Sequence, residues 1–101
     1  MSTCWVFKKG DKMKRFPLGQ VVVTPGAKSV MAPDLQPLYD VIDRHQSGDW
    51  GDLPEEDKKE NELSVNEGYR ILSAYTVNDE KVWVITEADR SVTTVLLPGE
   101  Y

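Results

Sequence analysis

Several things are scarce in this chain of 101 residues: one cysteine, one histidine, two phenylalanines, and fewer basic than acidic side chains. A lone Cys4 excludes an internal disulfide. With no Cys/His set at metal-ligand spacing, no structural zinc and no cofactor are implied, and a reducing, cytoplasmic setting is expected. No apolar run approaches membrane-spanning length, and the start, Met1 to Lys9, lacks a charged head followed by an apolar signal core, so neither a membrane span nor export is expected. Twelve Lys and Arg against seventeen Asp and Glu give a formal charge of −5. That balance argues against the broad basic footprint of a non-specific nucleic-acid binder.

The charge is unevenly spread. Lys8, Lys9, Lys12, Lys14 and Arg15 crowd the first stretch, while acids dominate from Asp34 to Glu67, which predicts surfaces of opposite sign. Residues 1–16 carry no sustained periodicity and read as a variable basic extension, leaving 17–101 as a single domain, a length that buries enough surface to fold without staples.

Within that domain, Gln20 to Thr24 is short and β-branched, and Thr24-Pro25-Gly26 has the form of a helix start. Leu35, Leu38, Tyr39, Ile42 and His45 follow helical spacing, with Asp34 as the expected N-cap, Pro37 in the first turn and Gly48 as the left-handed stop. Asp52 and Glu55 have capping-box spacing around Pro54, so a second long helix is expected to Glu67, ended by Gly68. Its faces are mostly charged, and Leu53, Leu63 and Val65 are its candidate buried positions.

The remainder alternates. Tyr69, Ile71, Ser73, Tyr75 and Val77 share one parity; Lys81 to Thr86 and Ser91 to Leu97 supply two further strands, with a turn at Asn78-Asp79-Glu80. The expected fold class is α+β: a short N-terminal strand, two to three helices, then a C-terminal three-stranded antiparallel meander with helices packed on one face.

Three constellations bear on chemistry. Any histidine-based proton transfer near neutral pH rests on His45, whose position at a helix end favours the protonated ring; the plainer reading is a histidine capping helix carbonyls. Trp50, between two glycines and two acids, suits either stacking on a base or partner, or plugging the core. Asp49 and Asp52 fall short of a cation loop. The Glu87-Ala88-Asp89-Arg90 connection is longer and more charged than a hairpin requires. With Arg70 or Tyr75 and a threonine it could form an anion pocket, or it is a turn closed by Asp89 with Arg90 paired to Glu87. Thr93 and Thr94 point to opposite faces, so only one of them can serve a given pocket.

The strings Arg44-His45-Gln46-Ser47-Gly48-Asp49-Trp50-Gly51-Asp52-Leu53, Glu67-Gly68-Tyr69-Arg70-Ile71-Leu72-Ser73 and Ile85-Thr86-Glu87-Ala88-Asp89-Arg90-Ser91-Val92 resemble a family of small bacterial proteins borne by plasmids, phages and integrated elements. The resemblance spans roughly Val21 to Tyr101 and brings no catalytic residues with it. The architecture is also similar, more loosely, to the barnase, colicin and RelE-type ribonucleases. That likeness implies metal-independent RNA cleavage, with His45 and Glu87 moving protons and Arg70 and Arg90 clamping charge, while Trp50, Tyr75, Asp89 and Thr93 bind. The alternative is a non-enzymatic inhibitor of a host defence complex, of anti-restriction or anti-CRISPR type, presenting its acidic helix to a nucleic-acid-handling protein. A homodimer through edge strands is a third expectation.

Overall fold

A computed structural model describes residues 14–101. The lysines at positions 8, 9 and 12, Cys4 and most of the expected basic extension therefore lie outside the described residues. The element order is β1 (Gln20–Val23), α1 (Pro25–Met31), α2 (Gln36–Ser47), α3 (Glu55–Glu67), β2 (Ile71–Val77), β3 (Glu80–Thr86), β4 (Val92–Leu96) and a closing 3-10 turn (Pro98–Glu100). No helix among them is long and apolar enough to cross a membrane.

The α+β class holds, but the sheet is not a three-stranded meander. It has four strands in the order β1-β4-β3-β2. β2, β3 and β4 run antiparallel as the alternation predicts, and β1 adds to β4 in parallel, Val21 opposite Thr93 and Val23 opposite Val95. Local pattern shows that a strand exists. It does not show that the strand docks beyond the last one in the chain, because that pairing is set by a contact about seventy residues away.

Alternation gives the sheet two distinct faces. Ile71, Ser73, Tyr75, Val82, Val84, Thr86, Thr93 and Val95 form an inner face and are fully buried. Against it α1 and α2 deliver Ala27, Met31 and Val41, with Leu38 and Ile42 half-buried beside them. A second small core joins Phe16, Trp50 and Ile71, flanked by Leu18, Leu53 and Val65.

The helix signals are met in outline and corrected in detail. Thr24 caps α1, accepting from the Ala27 amide, and Pro25 opens that helix. Gly48 and Gly68 close α2 and α3 in the left-handed conformation. Asp34 is not the N-cap of α2, a position held by Leu35, although its carboxylate accepts from the Gln36 amide. The expected capping box at α3 does not form either. Pro54 holds the cap position, and Asp52 is drawn to the sheet, where its amide donates to Ala74 and its carboxylate accepts from Thr76. Through these contacts Trp50 to Asp52 lies beside β2 as a one-bridge strand.

Candidate functional site

His45 reaches the inner face from the last turn of α2 and is entirely buried. Its Nδ1 lies 2.6 Å from the Ser73 hydroxyl and its Nε2 lies 2.9 Å from that of Thr86. Thr86 in turn meets Thr93 at 2.7 Å, and Thr93 donates to the Leu18 carbonyl at 2.7 Å. A hydroxyl carries one proton. Since Thr93 gives its proton to a carbonyl, it can only accept from Thr86; Thr86 must then accept from His45. The ring is accordingly the Nε2–H tautomer, and Nδ1 accepts from Ser73. Burial, together with the positive charge of Arg90, lowers the ring's pKa from 6.5 to about 3, which agrees with a neutral imidazole.

Phe16 and Trp50 both meet the ring at an edge, their centres 5.2 Å and 6.0 Å from its own. His45 thus caps no helix carbonyl with its side chain and faces no solvent. It is a polar joint joining α2 to β2 and β3, and through Thr93 to the segment entering β1.

The Glu87-to-Arg90 connection is explained by Arg90. The residue sits in the left-handed region at φ 62°. Its guanidinium donates to four backbone carbonyls: Tyr69 at 2.8 Å, Glu87 at 3.1 Å, Ala88 at 3.1 Å and Ser64 at 2.9 Å. The same group lies 5.7 Å from the centre of the Phe16 ring. Arg90 therefore takes the Glu87 carbonyl and not its carboxylate. The turn is closed as expected by Asp89, whose Oδ1 accepts from both the amide and the hydroxyl of Ser91, holding that carboxyl below its usual range. Glu87 and Asp89 stay exposed.

The eight singled-out residues do not converge. His45, Tyr75 and Thr93 are inside the inner-face core. Tyr75 donates to the Asp49 carbonyl at 2.6 Å, burial raising its pKa, and Arg44 lies 4.7 Å from the centre of its ring. Trp50 is the core plug of its loop, 4% exposed, with its indole N–H given to Glu62. Arg70 precedes β2 with the opposite parity and donates to the hydroxyl of Tyr101, whose ring meets Trp83 on the outer face. Arg70 and His45 are thus on opposite faces of the sheet. The arrangement presents no imidazole to a substrate, since the one histidine is sealed and both its nitrogens are engaged. Among the described residues no three His, Cys, Asp or Glu are grouped to hold a metal ion.

What the structure does present is α3. Leu63, expected to be buried, is 47% exposed, and the buried positions are Asn61 and Ser64. Asn61 makes the joint: its amide donates to the Leu72 carbonyl at 2.6 Å and its oxygen accepts from the Leu72 amide at 3.2 Å, so one side chain serves the outer edge of β2 as a strand would. Arg90 holds the Ser64 carbonyl, and Glu62 takes both Arg15 nitrogens, at 2.9 Å and 2.7 Å, besides the Trp50 indole. Pinned in this way, the helix turns Glu55, Glu56, Asp57, Glu60 and Glu67 to solvent. Beside it runs a cleft of about 290 Å³ floored by Leu53 and Leu72 and rimmed by Asp57, Glu60 and Arg70.

Two of the residues that matter were out of reach of pattern reading. Phe16 lies among basic residues and Asn61 among charged ones; the sole local hint for Asn61 is its place one turn before Val65 on the inward stripe of α3. The chain matches no family model, no curated protein and no solved structure.

Proposed function

We propose that this protein is a non-catalytic binding module that offers α3 and its cleft to a basic, partly apolar segment of a partner protein. One observation carries the reading. α3 is fixed to the body by Asn61, Ser64 and Glu62, while five other acids of the same helix face solvent, two of which, Asp57 and Glu60, border a cleft with Leu53 and Leu72 in its lining. A helix immobilised in advance loses little further entropy when a partner arrives. Its acids steer a cationic surface into place, and Leu53 and Leu72 give an apolar side chain somewhere to go.

Proteins that handle nucleic acid carry such cationic surfaces. The resemblance to plasmid- and phage-borne proteins supports a partner of that kind, in a host defence complex.

The reading is tested by fluorescence anisotropy with a labelled Lys/Leu peptide and a Gln/Leu control of equal length. Binding of the cationic peptide should weaken at least tenfold in Glu56→Lys/Glu60→Lys, with far-UV circular dichroism unchanged. Equal affinity for the two peptides, or for the two proteins, would sink it.

A further inference from the structure

Strand β1 ends the sheet opposite α3, and apart from its shortness, four residues, nothing in its sequence protects the edge. Gln20-Val21-Val22-Val23 contains no charge, no internal proline and no bulge, the usual devices that stop a strand from pairing with another chain. Val21 and Val22 are 39% and 41% exposed although they point to opposite faces. Gln20 and Thr24 donate to Ser91 and Val95 of the β4 side, so the amides and carbonyls of Val21 and Val23 point away from the sheet. No strand pairs with that edge among the described residues.

We propose that β1 pairs antiparallel with β1 of a second copy, about a two-fold axis through Val22, making one eight-stranded sheet from two four-stranded ones. Register follows from geometry. A two-fold axis perpendicular to the sheet places residues of the same face opposite each other, so residue numbers in a pair must sum to an even value. The outward groups belong to Val21 and Val23. Pairing Val21 with Val23 therefore gives two hydrogen-bonded pairs, and Val22 meets Val22 as the non-hydrogen-bonded pair on the axis.

A second copy suits this edge because the seam is valine against valine, with no like charges opposed despite the net charge of each chain. The seam is also continued. On the inner face β1 adjoins a cleft of about 280 Å³ lined by Val23, Met31, Leu35 and Leu38 and bordered by Lys28, and Leu35 is 40% exposed. The same two-fold axis keeps both clefts on one side of the joined sheet. Four residues of edge bury less than a standard interface, so a weak dimer is expected, with Kd of about 10–100 µM.

Sedimentation equilibrium of the full chain at concentrations on either side of that range should show the mass doubling. Val22→Lys, at an exposed site, should weaken association at least tenfold by placing two ammonium groups together on the axis. The register is tested by oxidative cross-linking. Cys4→Ser/Val22→Cys should give a covalent dimer rapidly, since facing Cβ atoms of a non-hydrogen-bonded pair lie about 4.5–5.5 Å apart. Cys4→Ser/Val21→Cys should cross-link much more slowly. A chain that stays monomeric throughout, a dimer indifferent to Val22→Lys, or equal cross-linking at 21 and 22 each overturns the proposal. Amide protection at Val21 and Val23 in a monomer would assign the edge to another segment of the same chain and overturn it equally.

Discussion

The Nε2–H of His45 points at the Thr86 hydroxyl across 2.9 Å, and the direction of that bond is fixed by the Leu18 carbonyl at the far end of the chain of hydroxyls. A side chain that sequence reasoning singles out for proton transfer is thereby committed to holding the fold. Removing it leaves the Ser73 and Thr86 hydroxyls without their partner in a dry core. An unsatisfied buried hydroxyl costs about 1–3 kcal/mol, and the vacated ring adds a cavity term. His45→Ala should lower stability by about 3–5 kcal/mol in urea unfolding, while His45→Gln, which keeps a donor, recovers part of the loss. If His45→Ala unfolds within about 0.5 kcal/mol of the parent, the hydroxyl chain is not structural; if it also abolishes metal-free RNA cleavage by the parent, the ribonuclease reading regains its base.

The same ring sets a pH dependence whose sign is determined. Its pKa is about 3 folded and near 6.5 unfolded, so between those values the unfolded chain binds the extra proton. The stabilisation is complete above pH 6.5 and is lost as pH falls toward 3, with a slope of up to about 1.4 kcal/mol per pH unit from this one group. Glu62, Asp89 and Glu100, whose pKa values are also lowered on folding, act in the same direction, but in the carboxylate range. The clean window is therefore pH 5 to 6.5. Thermal melts across it should rise with pH in the parent and flatten in His45→Gln; equal slopes in both would remove His45 as the cause.

Arg90 separates two effects that ordinarily travel together. Its backbone is left-handed, which glycine tolerates and alanine does not, while its guanidinium serves four carbonyls. Both Arg90→Ala and Arg90→Gly lose those bonds, and only the alanine keeps the backbone cost of about 1 kcal/mol. The expected order in chemical denaturation is parent, then glycine, then alanine. Alanine as stable as glycine would mean that the turn relaxes, and either variant matching the parent would mean that the carbonyls find other donors.

Much of this was legible in sequence, and the omissions share a cause. The turn chemistry of Asn78-Asp79 and Asp89, the left-handed stops at Gly48 and Gly68, and the parity that buries Ile71, Ser73, Tyr75 and Val77 are local signals and were met. The place of β1 and the burial of Phe16 depend on partners far along the chain, and the bonding of Asn61 to Leu72 depends on how α3 folds back on the strand that follows it. His45 was misplaced for a related reason. Its helix position told which stripe it occupied, but only the hydroxyls of Ser73 and Thr86, from two other elements, make a sealed neutral imidazole tolerable there.

Two glycines provide the sharpest contrast in cost. Gly51 and Gly68 are both left-handed, at φ 77° and 79°. A Cβ on Gly68 meets nothing within 4 Å, so Gly68→Ala carries the backbone cost alone, about 1 kcal/mol. At Gly51 the added carbon would collide with the Ala74 carbonyl and with Tyr75, in the bridge where Trp50 and Asp52 bond to β2. Neither neighbour can yield, since Ala74 is backbone of a paired strand and the Tyr75 ring is buried with its hydroxyl on Asp49. Gly51→Ala should therefore destabilise by about 3 kcal/mol or more and loosen Trp50, seen as a red shift in its emission in a Trp5→Phe/Trp83→Phe background, where it is the one remaining tryptophan. Equal loss at the two glycines, with Trp50 emission unmoved, would show that the bridge can be broken without consequence for the core beneath α3.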